Sequence, residues 1–188
     1  HEGKLDAAEV DRYVTAFYQD PSWDHMVAPG MVYISHPTEY GTLYTLDELK
    51  ALSVVCRKHK IPLFLDGARL GYGLVARDAD VTLKDIASLC DIFYIGGTKV
   101  GALFGEAVVI PQPGLIRQFD TIVKQRGVLL AKGRLLGLQF DTLFTDGLYL
   151  KIARHAIDMA DRIVEGLKAN GYTFYIRPQS NQLFVQLE

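Results

Sequence analysis

Cysteine is scarce: the 188-residue chain has two, Cys56 and Cys90, far apart and outside any metal-ligand spacing. That argues against a disulfide framework or a cysteine-based metal site, and both read as reduced core residues of a cytosolic protein. No apolar run approaches the ~20 residues of a membrane-spanning helix, and no targeting motif is recognisable. Neither sign of charge is in excess. With 20 Lys and Arg against 22 Asp and Glu the net charge is −2, which leaves no electrostatic footprint for nucleic acid. Internal repeats and low-complexity tracts are absent too. What remains, 49% hydrophobic and 22% charged residues, is ordinary globular composition in a chain long enough to bury a substantial core.

The chain does have a rhythm. Strand-like and helix-like patterns alternate, which argues for an α/β fold with a parallel sheet and helices packed on it. A helix is expected over 6–18, a strand over 31–35, and a second helix from the Thr45–Glu48 capping box to about His59. A buried strand over 62–65, a short helix from about Thr82 and a strand over 92–95 follow. The strand over 107–110 comes too soon for a parallel crossover, so it is expected to return antiparallel. Beyond Pro113 the pattern is mostly helical. Ile152, Ala156, Met159, Ile163 and Leu167 form one long apolar stripe, closed by Asn170-Gly171. Strands over 172–176 and 183–186 then break the rhythm. Residues 1–146 are therefore read as a major domain and 147–188 as the start of a small C-terminal α+β domain.

Two segments carry chemistry. In the run 92–105, Lys99 ends an apolar strand between two pairs of glycines, with almost no charge on its flanks. Desolvation there would favour a neutral, nucleophilic amine, suited to an imine with a carbonyl substrate or with pyridoxal phosphate (PLP). A structural lysine in a surface turn fits that segment equally well. Asp66 breaks the tie: it lies at the carboxyl end of the preceding strand, where open α/β sheets bind ligands. A PLP enzyme needs an acid to keep the pyridine nitrogen protonated, and Asp66 with Lys99 supplies the pair. His36 follows a strand as well and is a candidate proton relay, or simply a turn histidine. Thr98 could offer its hydroxyl to the cofactor phosphate or cap the turn. The G-x-G-x-x-A match at 71–76 does not follow directly on a strand, and Lys99 is followed by Val100, so neither a dinucleotide fingerprint nor a triphosphate loop is read here. No metal ligands are assigned.

The stretches 35–44 (SHPTEYGTLY), 66–71 (DGARLG) and 96–99 (GGTK), with the opening HEGKL, resemble the low-specificity threonine aldolase family of PLP-dependent lyases. The resemblance implies a three-layer αβα, fold-type I architecture. It implies that Lys99 holds the cofactor as an imine, that Asp66 partners the pyridine nitrogen, and that Arg69 contacts the substrate carboxylate or the polar edge of the cofactor. The implied reaction is cleavage of a β-hydroxy-α-amino acid, such as threonine or allo-threonine, to glycine and an aldehyde, in a cytoplasmic homodimer or homotetramer. Better-known aldolases carry a glycine-rich segment ending Met-Arg-Gln downstream of the lysine, where this chain has KGRLLGLQF at 132–140. That departure bears on the substrate, so β-elimination or transamination on the same cofactor remains an alternative. A non-catalytic fragment or scaffold retaining the fold is another. Because the family carries the opening motif well inside its sequence, the chain is expected to be an internal piece, with the phosphate loop and the ring-stacking residue upstream of His1.

Overall fold

The computed structural model describes residues 2–187; His1, the first residue of the opening motif, lies outside them. Strands β1 (Val32–Ser35), β2 (Leu63–Asp66), β3 (Ile92–Gly96) and β4 (Glu106–Val109) form a sheet in the order β1-β2-β3-β4. The first three run parallel and β4 returns antiparallel to β3, as its short connection requires. Alternation along the strands separates two faces. Val32, Ile34, Leu63, Leu65, Phe93 and Ile95 are buried, whereas Tyr33, Phe64, Asp66 and Tyr94 lie on a face that is only partly covered.

Helices α1 (Ala7–Gln19), α2 (Leu46–His59), α3 (Leu70–Val75) and α4 (Leu83–Leu89) contribute to the core on the buried face. Thr45 and Glu48 make the expected capping box at the start of α2, and Thr82 with Asp85 makes a second at α4. Helix α3 falls where no helix was expected. It has no side-chain cap and two glycines, and it stands because Leu70, Tyr72 and Val75 are buried in the core.

Helices α5 (Phe119–Gln125) and α6 (Arg134–Phe144) lead to the long α7 (Leu148–Ala169). The chain turns at Asp146 (φ 52) and Gly147 (φ 67), beside the boundary read from sequence. Packing continues across that turn: Tyr149, Ala153 and Ile157 of α7 join the same core as the sheet. The two C-terminal strands shrink to a single antiparallel bridge, Phe174 with Val185. A two-stranded pair without a third strand gains too little to extend further. Among the described residues, no helix is long and apolar enough to cross a membrane.

Candidate active site

Asp66 and Lys99 leave the sheet from adjacent strand ends, and glycine is what lets those ends meet. A Cβ on Gly67 would lie 1.9 Å from the Tyr94 carbonyl oxygen, and one on Gly96 would lie 2.3 Å from that of Ala68. The Gly96 N–H donates to the Gly67 carbonyl at 2.8 Å, closing the two exits against each other. These two glycines admit backbone against backbone.

The Asp66 side chain lies on the partly covered face. Its Oδ1 accepts the Ala68 N–H at 2.9 Å, and its Oδ2 accepts the Tyr33 hydroxyl at 2.5 Å. The Tyr94 hydroxyl lies near the same carboxylate and favours its charged form. Burial pushes the Asp66 carboxyl upward, but the hydrogen bonds from Tyr33, Tyr94 and Ala68 and the charge of Lys99 outweigh it. The group stays ionised to below its ordinary range. Conversely, the bond to Asp66, followed by burial, raises the Tyr33 hydroxyl to about 12.

Lys99 sits in a tight turn after β3, where the N–H groups of Val100 and Ala102 both donate to the Gly97 carbonyl at 2.9 Å. The Tyr72 hydroxyl of α3 donates to the Lys99 carbonyl, and Glu106 Oε2 accepts the Gly97 N–H at 2.6 Å. The backbone is held, yet the side chain is exposed. The expected desolvation is not supplied by the flanks, since Val100 turns into the core and Lys99 out of it.

The remaining candidates are distributed differently. Arg69 precedes α3, with its guanidinium mostly covered and Nη1 3.8 Å from Glu39 Oε2. The exposed Thr98 hydroxyl makes one long bond, 3.4 Å, across the turn to the Gly105 carbonyl. His36 is displaced from its expected position. Ser35 is in register with Asp66, so the next residue points to the opposite face. The ring is 2% exposed, Nδ1 accepts the Tyr44 N–H at 3.2 Å, and Gly73 closes on Nε2. Burial lowers His36 to about 4, so the ring is a neutral core residue and not a ligand-face relay. Sequence reasoning passed over Tyr33, Tyr94 and Tyr72. Strand alternation was enough to place the first two beside Asp66.

A carboxylate offers about four acceptor positions, and here two are met by the Ala68 N–H and the Tyr33 hydroxyl. An ionised acceptor with a position to spare, an exposed primary amine and a nearby guanidinium suit an anionic aldehyde with a basic ring nitrogen. PLP fits this donor set.

Comparison with known proteins first defines the class. The PLP-bound C–S lyase of Staphylococcus hominis, 14% identical, aligns over 96% of this chain and 45% of its own with a TM-score of 0.62, so this chain has the fold of that PLP-bound enzyme. The profile of the β-eliminating lyase family matches residues 1–188, and the chain belongs to that family. It is similar to the low-specificity L-threonine aldolase of a Pseudomonas species, 34% identical over 190 residues, covering 98% of this chain and 53% of the relative. The enzyme of the same description from Pseudomonas aeruginosa is 32% identical over 187 residues, with the same two coverages. A threonine aldolase structure from Leishmania major superposes with a TM-score of 0.91 at 45% identity, over 100% of this chain and 54% of that one. The chain thus spans about half the length of these aldolases.

Proposed function

We propose that the protein is a PLP-dependent lyase that cleaves a β-hydroxy-α-amino acid, threonine or allo-threonine, to glycine and an aldehyde. The observation that carries this reading is the convergence of Asp66 and Lys99 at adjacent strand ends, in a chain whose aldolase relatives match along nearly all of it. PLP, when bound, supplies the electron sink for carbon–carbon cleavage. With PLP present, Asp66 would keep the ring nitrogen protonated and the Lys99 amine would hold the cofactor covalently. Arg69 takes the substrate carboxylate, which exchanges for the weakly held Glu39. The hydroxyl proton passes to water, because the His36 ring is enclosed. Thr98, exposed on the same turn as Lys99, offers its hydroxyl to the cofactor phosphate.

Apolar side chains left open over 128–138, among them Val128, Leu129, Leu130 and Leu138, support assembly into a homodimer or homotetramer. The two free, buried cysteines support a cytoplasmic location.

Incubation with threonine and allo-threonine tests the reaction: glycine and acetaldehyde should form in equal amounts, only with PLP, and Lys99→Ala should lose both turnover and the borohydride-trapped adduct. The family match favours β-elimination as the second reading. Ammonia and pyruvate from a β-substituted alanine, with no glycine from threonine, would establish it instead.

A further inference from the structure

Three aromatic rings cross the partly covered face of the sheet, one from each parallel strand. Tyr33 of β1 stacks on Phe64 of β2 with centroids 5.2 Å apart and planes at 9°, and Phe64 meets Tyr94 of β3 at 6.2 Å and 58°. The middle ring has no hydroxyl. Of the two outer hydroxyls, that of Tyr33 donates to the Asp66 carboxylate at 2.5 Å, and that of Tyr94 lies near enough to favour the charged form of the same group. Each ring is fixed by strand alternation and by its neighbour, so these donors are aimed before any ligand arrives.

We propose that Tyr33 and Tyr94 are positioning residues for Asp66: their hydroxyls fix the carboxylate and leave one acceptor position directed at the ring N–H of the cofactor. Resting on the PLP reading, this adds to it the means by which Asp66 is held. Water could satisfy the same lone pairs but would not set their direction. The Tyr33 hydroxyl and the Ala68 N–H occupy two of about four acceptor positions, which leaves room for the Tyr94 hydroxyl and for one further donor. Donation to the carboxylate also makes it a weaker base. The shared proton therefore stays on the ring nitrogen and does not transfer to Asp66, which is the charge distribution an electron sink requires.

Tyr33→Phe and Tyr94→Phe keep the rings and remove only the hydroxyls. In cofactor-free protein carrying 13C-labelled aspartate, the Asp66 carboxyl resonance is assigned by its loss in Asp66→Asn. Its titration midpoint should rise by about one pH unit in the double variant, the effect of losing hydrogen bonds to the charged form. An independent arm follows phenol ionisation by ultraviolet absorbance: Asp66→Asn should bring Tyr33 down from about 12 towards the ordinary value of about 10. In protein loaded with 15N-PLP, the double variant should move the pyridine nitrogen resonance towards its unprotonated position. An unmoved Asp66 midpoint in folded variants, or a Tyr33 titration indifferent to Asp66→Asn, overturns the proposal. Failure of the PLP reading looks different: no cofactor band and no trapped adduct form in the parent protein, while the two titrations still report on the tyrosines.

Discussion

Asp66 has an electrostatic task that an isosteric amide cannot perform. Asp66→Asn keeps the side chain's size and the acceptor for the Ala68 N–H but removes the negative charge opposite the ring nitrogen. Cofactor should still bind, while turnover falls by about 10²–10⁴-fold, as for other losses of an electrostatic or acid–base group. Steady-state kinetics beside PLP absorbance checks both halves, and near-normal kcat removes Asp66 from the role. His36 makes a separate prediction. Its burial lowers the folded value to about 4 against 6.5 for the free ring, so the unfolded chain binds the extra proton more readily. The stabilisation from a neutral His36 is complete above pH 6.5 and is lost as pH falls towards 4. Between pH 7 and pH 5 that amounts to about 2 kcal/mol. Urea unfolding should show the loss in the parent and not in His36→Gln. The placement of Asp66 and Lys99 at strand ends is legible in the sequence, where glycines mark those ends. The side of the sheet is not read where face parity goes uncounted, as at His36, or where no signal is sought, as at Tyr33 and Tyr94.

The link between β2 and β3 depends on absent side chains. Gly96→Ala would set a Cβ 2.3 Å from the Ala68 carbonyl oxygen and 2.5 Å from that of Gly67, both backbone atoms that cannot swing aside. The strand exits must then separate, at a cost of at least about 1–3 kcal/mol for an overpacked interior site, and with them Asp66 from Lys99. Gly137→Ala is the control of opposite sign. Gly137 lies inside α6 with nothing within 4 Å of the added Cβ, so the change should stabilise by up to about 1 kcal/mol. Thermal unfolding of the two variants tests the contrast; equal shifts of the same sign would refute it. Elements with local signals are read well from sequence, including the Thr45–Glu48 box and the antiparallel return of β4. Helix α3 is not, because its stability comes from burial against α7 and not from its own residues.

The sheet, α3 and α7 are joined through one phenol. The Tyr149 hydroxyl donates to the Gly96 carbonyl at 2.9 Å and accepts the Gly71 N–H at 3.1 Å, and the ring stacks on Phe144 at 5.3 Å. The side chain is almost fully buried, so both backbone partners depend on it. Burial raises the hydroxyl well above the ordinary phenol value, which keeps it protonated and able to donate at any working pH. It also explains why the turn at 145–147 does not separate α7 from the main core. The residue just past the turn is anchored to the strand end that carries Lys99. Tyr149→Phe retains the ring and strands a buried carbonyl and a buried N–H, each costing about 1–3 kcal/mol when left without a partner. The expected destabilisation is about 2–6 kcal/mol on that scale, with faster amide exchange at Gly71, whose acceptor is gone. Because the anchored carbonyl belongs to Gly96, the loss should spread to the site: Lys99 loses its fixed turn, and PLP affinity falls even though Tyr149 is not among the groups that hold the cofactor. Denaturant midpoints, exchange rates and PLP titration of the one variant test this together. A Phe variant as stable as the parent would mean that the two backbone groups find other partners and that α7 docks by apolar packing alone.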